Sequence, residues 1–135
     1  MKPWSPFSVG GIFMKLLSPK FILLAEDDAN VREISTLILE AEGHHVEGVA
    51  NGSVALERLL RDMSFDLLFS DISMPGGIDG IQLARRSQGV FPTLQIILAS
   101  GHAKGSFLDF PEGLRFLPKP YDRQSLLAAV SEAFP

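Results

Sequence analysis

The chain has no cysteine among its 135 residues. Disulfide bonds, thiolate metal sites and thiol nucleophiles are therefore excluded, and the absence fits a reducing, cytoplasmic location. The chain also lacks any apolar run that approaches the roughly 20 residues a membrane-spanning helix needs. No internal repeat and no low-complexity segment is evident. We therefore expect a cytoplasmic protein without a membrane partner.

Positive charge is scarce as well. Lysine and arginine number 12 against 16 aspartates and glutamates, which gives a formal net charge of −4. Phosphate backbones are bound through basic surface, so this balance argues against broad binding to nucleic acids or anionic membranes. The hydrophobic share of 46% and the charged share of 21% are ordinary for a globular protein. The length corresponds to one domain with its own core.

The first 18 residues are the least regular part of the chain. An apolar stretch over residues 7–13 follows Pro6, is interrupted by Gly10 and Gly11, and has no small-residue cleavage site after it, which argues against a signal peptide. We expect residues 1–18 to be a disordered or loosely docked extension, with Met14 as an alternative start. The globular domain is predicted over residues 19–135.

Five short apolar runs of strand length alternate with helical patterns. The runs cover residues 21–25, 45–49, 67–69, 95–99 and 114–117. Such alternation predicts βαβ units with right-handed crossovers and a parallel sheet. Prolines around the last run place it at a sheet edge. Four helices are predicted between and after the runs, with apolar residues at helical spacing: Val31, Ile34, Ile38 and Ala41; Val54, Ala55, Leu59 and Leu60; Ile78, Ile81 and Ala84; Leu127, Val130 and Phe134.

Polar side chains of complementary chemistry follow four of these strands. They are Glu26 and Asp27, Asp71, Ser100 and Lys119. The carboxyl ends of parallel strands share one edge, where open α/β sheets bind ligands. Crowded carboxylates raise one another's pKa unless a cation joins them, and an all-oxygen ligand set suits Mg²⁺. A lysine and a hydroxyl beside it would contact phosphoryl oxygens. The set predicts phosphoryl transfer to a carboxylate, which gives an aspartyl phosphate.

Each of these residues also has an ordinary structural interpretation. The acids at 26–28 suit a helix N-terminus, Ser100 before a glycine suits a turn, and Lys119 suits the surface. Asp28 is acidic too, and strand alternation favours Asp27 over it as the residue that faces the site. All the ordinary interpretations would have to hold together at the same sheet edge, so we favour a functional site.

As a set, these residues resemble the receiver domain of two-component response regulators. The resemblance rests on Glu26-Asp27, on Asp71 within Asp-Ile-Ser-Met-Pro, on Ser100 and on Lys119-Pro120, and it extends from about Phe21 to Phe134. It implies an α/β, doubly wound, flavodoxin-like fold with a five-stranded parallel sheet in the order 2-1-3-4-5. It also implies a signalling phosphoacceptor, not an enzyme with a separate substrate. The phosphoryl donor would be a histidine kinase or a histidine phosphotransfer protein.

The resemblance further implies a role for each site residue. Asp71 is the expected phosphoacceptor, and Lys119, followed by a cis peptide bond to Pro120, is the expected contact to the phosphoryl group. The Mg²⁺ ligands would be Asp27, Asp71, Glu26 largely through water, and the backbone carbonyl of Ser73. Ser100 would be the switch hydroxyl. Phe116 would be the switch aromatic, although an ordinary core phenylalanine fits the position equally well.

Three features depart from the simplest receivers. Gly76-Gly77 lengthens the loop after Pro75, which resembles receivers of hybrid kinases, while Ser100-Gly101 loosely resembles a subgroup of single-domain receivers. Between the fourth and fifth strands, Gly105 and Pro111 leave room for a loop or at most two helical turns. We expect the apolar residues there, Phe107, Leu108 and Phe110, either to cap the core or to form a patch for a partner or a homodimer.

Two other functions are weighed against this one. A phosphohydrolase with an aspartate nucleophile usually carries a second acid two residues after the nucleophile, and that position is Ser73 here. An interaction module that kept only the fold would not need to keep all five site residues. The chain ends directly after the last predicted helix, so we expect no DNA-binding output domain in it. Whether it is a natural single-domain regulator or part of a larger protein is left open.

Overall fold

Five parallel strands form the central sheet of this protein. A computed structural model describes residues 17–62 and 64–135 in full, and the backbone of residues 8–9 and 12–13. The strands are Phe21–Ala25 (β1), His45–Val49 (β2), Leu67–Asp71 (β3), Gln95–Ser100 (β4) and Arg115–Pro118 (β5). Their order is β2-β1-β3-β4-β5, and all neighbours are parallel. The predicted order 2-1-3-4-5 is confirmed, and the proline-rich last strand lies at an edge.

Four α-helices connect and follow these strands in the described part of the chain. They are Ala29–Ala41 (α1), Gly52–Arg61 (α2), Gly80–Val90 (α3) and Arg123–Ala133 (α4). Each begins after a side-chain cap that accepts backbone N–H groups left free in the first turn; the caps are Asp28, Asn51, Asp79 and Asp122. Gly43, just after α1, has a φ of 96°, a conformation that glycine adopts at little cost.

Each face of the sheet buries a separate hydrophobic core. Residues of α2 and α3, such as Leu59 and Leu83, pack on one face, which we call the first core. Residues of α1 and α4, such as Leu39 and Leu126, pack on the other face as the second core. The strands contribute alternately to both, because successive side chains of a strand point to opposite faces. The sheet is therefore buried on both sides, as parallel sheets require.

The buried face of α1 differs from the apolar spacing in the sequence. Ser35 and Leu39 face the sheet, whereas Ile34 is 58% exposed and Leu37 is 59% exposed. Ser35 is tolerated in this position because its hydroxyl is hydrogen-bonded to the hydroxyl of Tyr121, 2.7 Å away. One serine thus takes a core-facing position, and two large apolar residues are left at the surface of α1.

The segment between β4 and β5 carries only a single 3₁₀ turn, Lys104–Ser106. The prediction of a shortened, irregular fourth helix is confirmed. Phe107 and Phe110 pack against the first core, while Leu108 is fully exposed. The three apolar residues are therefore divided, and Leu108 is the exposed one among them.

Most of the predicted extension, residues 1–18, lies outside the described residues. Within it, Ser8–Val9 and Ile12–Phe13 pair as a short antiparallel ladder, and Leu17 packs against the second core. The domain boundary near residue 18 stays a prediction. Across the described residues, none of the helices combines the length and apolar character needed to cross a bilayer.

Candidate functional site

The sheet brings the predicted site residues to one edge. Glu26 follows β1, Asp71 ends β3, Ser100 ends β4 and Lys119 follows β5. Backbone hydrogen bonds continue to this edge, since the amide of Glu26 donates to Val49 (3.0 Å) and the amide of Lys119 donates to Ser100 (2.9 Å). The side chains are therefore carried by a hydrogen-bonded scaffold and not by free loops.

Three carboxylates crowd together here. One oxygen from each of Glu26, Asp27 and Asp71 lies within 4.8 Å of the others; Glu26 and Asp71 are buried, and Asp27 is exposed. Burial, reinforced by the charge of Glu26, raises the pKa of Asp71 to about 7, although Lys119 acts in the opposite direction. An all-oxygen set whose members repel one another is a fitting site for a divalent cation such as Mg²⁺.

Lys119 partly balances these negative charges. Its Nζ lies 2.6 Å from Oε1 of Glu26 and 3.3 Å from Oδ2 of Asp71. Burial lowers the pKa of Lys119, but the hydrogen bond to Glu26 and the charges of both carboxylates outweigh burial, so its pKa lies above the ordinary value. The peptide bond to Pro120 is cis, as the resemblance implied. Lys119 is thus a charged group held directly against Asp71.

The two predicted switch residues, Ser100 and Phe116, each make contacts with residues other than the three carboxylates. The buried Ser100 accepts a hydrogen bond at Oγ from the amide of His102 (3.0 Å), so it makes a turn at the same time as it borders the site. Phe116 is half-buried against the first core, edge-on to Phe110 with ring centroids 5.8 Å apart. Both interpretations of Phe116, core residue and mobile aromatic, fit this position.

Two further positions remain, Asp28 as the alternative to Asp27 and Ser73 as the predicted carbonyl ligand. Asp28 turns away to cap α1, where Oδ1 accepts from the amides of Asn30 (2.9 Å) and Val31 (3.1 Å). Among the two candidate neighbours, Asp27 is therefore the one left for the cluster, as strand alternation predicted. Ser73 is exposed in the loop between β3 and α3, two residues after Asp71.

Two contacts of the site were not predicted from the sequence. Arg32 donates from Nη1 to the backbone carbonyl of Glu26 at 2.6 Å. Gly80, the first residue of α3, lies so close to β3 that a Cβ there would be 2.2 Å from the carbonyl oxygen of Asp71. Arg32 gave no sequence signal, because it acts on a backbone atom. A glycine opening a helix is a weak signal of close backbone approach.

An apolar groove of about 500 Å³ borders the site on the α1 side. Val31, Ile34 and Ile38 of α1 form one wall, and Pro120 and Tyr121 form the other. Lys119 and Gly101 also line the groove, so it borders the group that contacts Asp71.

Comparison with known proteins agrees with this architecture. The response regulator receiver domain family matches residues 22–131. The response regulator receiver protein CpdR of Brucella abortus (strain 2308) is 39% identical over 116 residues, which cover 84% of this chain and 95% of that protein. A response regulator receiver protein from Sinorhizobium medicae WSM419 superposes with a TM-score of 0.79 at 30% identity, covering 85% of this chain and 94% of the other.

A third relative is a receiver from a larger signalling protein. The receiver domain of the hybrid histidine kinase CckA superposes with a TM-score of 0.72 at 34% identity, covering 85% of this chain and 99% of that one. The family match spans all five strands of the sheet except Phe21, the first residue of β1, and it includes Glu26, Asp27, Asp71, Ser100 and Lys119. The chain therefore belongs to the response regulator receiver domain family, the phosphoacceptor modules of two-component signalling.

Proposed function

We propose that Asp71 is the residue of this receiver that accepts the phosphoryl group. The observation that carries this assignment is the position of Asp71 at the end of β3, with Lys119 Nζ 3.3 Å from its Oδ2 and two further carboxylates beside it. In the reaction, a carboxylate oxygen of Asp71 bonds to phosphorus, and the bond from phosphorus to the donor's imidazole nitrogen breaks. The imidazole leaves with that electron pair. Lys119 holds the developing phosphoryl charge.

Mg²⁺ is the proposed cofactor. Glu26, Asp27 and Asp71 would hold it together with the backbone carbonyl of Ser73, and Glu26 would act largely through water. When bound, the ion supplies positive charge against the phosphoryl oxygens. The crowding of three carboxylates supports this proposal, because a cation relieves their mutual repulsion. With the ion and Lys119 in place, we expect Asp71 to react with a small phosphodonor without a second protein, and to lose the group by hydrolysis.

Ser100 and Phe116 are proposed to respond to phosphorylation. Ser100 would leave the amide of His102 and turn its hydroxyl toward a phosphoryl oxygen. Phe116 would follow, and its edge-on contact with Phe110 would pass the movement to the segment between β4 and β5. That segment is the proposed signalling surface. Homodimer contact through it stays a prediction.

The donor, a histidine kinase or a histidine phosphotransfer protein, is proposed to dock in the groove beside α1. An occupant of this groove would bring its own side chains next to Lys119, which lines it. Ile34 and Leu37 of the same helix are 58% and 59% exposed in the described part of the chain, and neighbouring exposed apolar residues can mark an interaction surface. A helix of the donor with an apolar face fits this surface.

The test measures labelling of the full chain by two phosphoryl donors in the presence of Mg²⁺. One donor is acetyl phosphate, and the other is a phosphorylated histidine kinase. Wild type should be labelled by both donors, and Asp71→Asn, which is nearly isosteric, should be labelled by neither while its melting temperature stays above or equal to that of wild type. Peptide mapping that placed the label on a residue other than Asp71 would contradict the assignment.

The same assay separates docking from chemistry. Ile34→Asp should slow transfer from the kinase about tenfold or more, as loss of a central apolar contact at an interface does, and should leave acetyl phosphate labelling unchanged. Val90→Asp is the matched control, because Val90 is 52% exposed at the end of α3, away from the groove. Equal transfer to both variants would refute the docking site.

A further inference from the structure

Arg32 reaches from α1 to the peptide unit that joins the two consecutive acids of the site. Its Nη1 lies 2.6 Å from the carbonyl oxygen of Glu26, a short, charge-assisted hydrogen bond. That carbonyl belongs to the planar unit between Glu26 and Asp27. The orientation of this one plane sets the backbone dihedrals on either side of it, and so the directions in which both carboxylates leave the chain.

Gly48 provides the space through which Arg32 makes this contact. Gly48 lies in β2 opposite Leu24 of β1, and a Cβ built on it would lie 3.1 Å from both Cγ and Cδ of Arg32. The arginine stem therefore passes over the strand at the position where no side chain stands. Two independent features, a glycine in a strand interior and a part-buried hydrogen bond to a backbone carbonyl, thus involve the Arg32 side chain.

The rest of Glu26 is fixed as well. Oε1 meets Nζ of Lys119 (2.6 Å), and Oε2 accepts from the amide of Asp28 (3.1 Å). With the carbonyl held by Arg32, the turn from β1 into α1 is tied at the backbone and at the carboxylate. Asp27 is exposed, and its amide belongs to the same peptide plane as the Glu26 carbonyl.

We propose that Arg32, seated over Gly48, is a positioning residue for the metal site: it orients the Glu26–Asp27 peptide so that both carboxylates converge with Asp71 on a divalent cation. This inference rests on the proposed Mg²⁺ site. Arg32 does not touch the cation; it acts through the backbone carbonyl. Residues outside the ligand set that orient ligands in this way commonly contribute about 10- to 100-fold to metal affinity.

The sign of the effect distinguishes positioning from simple electrostatics. A positive guanidinium near the site repels a cation, so if Arg32 acted only by its charge, Arg32→Met would tighten Mg²⁺ binding. If Arg32 positions the peptide, Arg32→Met weakens binding even though a positive charge is lost. Arg32→Lys keeps the charge but not the planar, pre-organised donor, so it should weaken binding to an intermediate degree.

Gly48→Ala provides a second and milder change. The new methyl group should shift the arginine stem by a few tenths of an ångström and loosen the hydrogen bond, while alanine suits a strand interior better than glycine. We therefore expect weaker Mg²⁺ binding without a lower melting temperature of the metal-free protein. A loss of fold alone would lower both.

The experiment is an Mg²⁺ titration of the full chain, followed by NMR shifts of backbone amides at residues 26–28, with thermal melts of each metal-free variant. Arg32→Met should raise the dissociation constant about tenfold, and Gly48→Ala should raise it less. In the double variant, Gly48→Ala should add nothing, because the contact it disturbs is already gone. Arg86→Met, which removes an exposed arginine from α3, is the charge-matched control and should bind like wild type.

Three results would overturn the inference. Equal or tighter Mg²⁺ binding by Arg32→Met refutes the positioning role alone, as long as wild type binds the ion. Fully additive effects of the two substitutions refute the coupling between Arg32 and Gly48. Absence of Mg²⁺ binding by wild type refutes the proposed metal site, and this inference with it.

Discussion

Two glycines of α3 provide a test of how tightly the helix packs against β3, the strand that ends at the proposed phosphoacceptor Asp71. Gly80 begins the helix and lies against β3, where a Cβ would be 2.2 Å from the carbonyl oxygen of Asp71 and 2.7 Å from Cα of Ile72. Both neighbours are backbone atoms, which cannot move aside as a flexible side chain does. Gly89 lies in the last turn of the same helix, and a Cβ there would meet no atom within 4 Å. The same substitution should therefore have opposite effects at the two positions.

The magnitudes follow from these contacts. Gly80→Ala forces an overpacking shift that costs about 1–3 kcal/mol of unfolding free energy, and little helix propensity is regained at the first position. Gly89→Ala gains about 0.5–1 kcal/mol, because alanine loses less backbone entropy in a helix than glycine does. In a domain of this size, 1 kcal/mol shifts the melting temperature by roughly 3–5 °C. Gly80→Ala should thus melt about 3–15 °C lower than wild type, and Gly89→Ala about 2–5 °C higher.

Thermal melts and acetyl phosphate labelling together test this reasoning. Because the strain at Gly80→Ala falls on the backbone of Asp71 itself, its labelling rate should drop even at temperatures where the variant is fully folded. Gly89→Ala should be labelled like wild type. A rise in melting temperature for Gly80→Ala would show that the helix is not held against β3 as tightly as 2.2 Å requires, and would refute the packing argument.

Two further outcomes follow from charges in the structure. Asp27→Ala should abolish the thermal stabilisation by Mg²⁺ and leave the metal-free protein equally or more stable, because one member of the repelling cluster is removed; an unchanged Mg²⁺ response would contradict the ligand assignment. His44 is buried and accepts from the amide of Lys20 at Nδ1 (3.0 Å), and burial lowers its pKa below 6.5. The unfolded chain therefore binds more protons, so this histidine's stabilisation is present above pH 6.5 and is lost as the pH falls below it. Between pH 5 and 7.5, the melting temperature of His44→Gln should fall less with acid than that of wild type or of the exposed control His45→Gln; parallel curves for all three would count against it.

Much of the site could be predicted because all strands of a parallel sheet point the same way, so the residues that follow them lie at one edge. A residue directly after an apolar run must lie at the carboxyl edge of the sheet, whatever the loops do. Asp71 and Lys119 are 48 positions apart by their numbers, yet their side chains meet, because β3 and β5 end at the same edge. The acids at 26–28 suited a helix N-terminus for a similar reason, since a short polar side chain before a helical pattern can accept from local backbone donors, and Asp28 does cap α1.

The rest could not be predicted, because it depends on how elements rotate and approach one another. Apolar spacing in α1 includes Ile34, but rotation of the helix puts Ser35 toward the sheet, and the serine is acceptable only because Tyr121, far along the chain, supplies a hydrogen bond. The division of Phe107 and Leu108 between core and solvent depends on a loop whose glycine and proline permit several paths. The contact from the Arg32 side chain to the backbone carbonyl of Glu26 also gave no signal in the sequence.

Glu26 and Asp27 are neighbours with the same chemistry, and the structure separates their roles. Both carboxylate oxygens of Glu26 and its carbonyl oxygen already have partners, in Lys119, the amide of Asp28 and Arg32. A direct bond from Glu26 to a cation would crowd an oxygen that already accepts from Lys119 or from the amide of Asp28, whereas a contact through water disturbs neither partner. Asp27 is exposed, with one oxygen within 4.8 Å of the other two acids, so it can bind an arriving ion without breaking a buried contact. In the proposed Mg²⁺ site, the buried acid would therefore fix the geometry, and the exposed acid would exchange with solvent and metal.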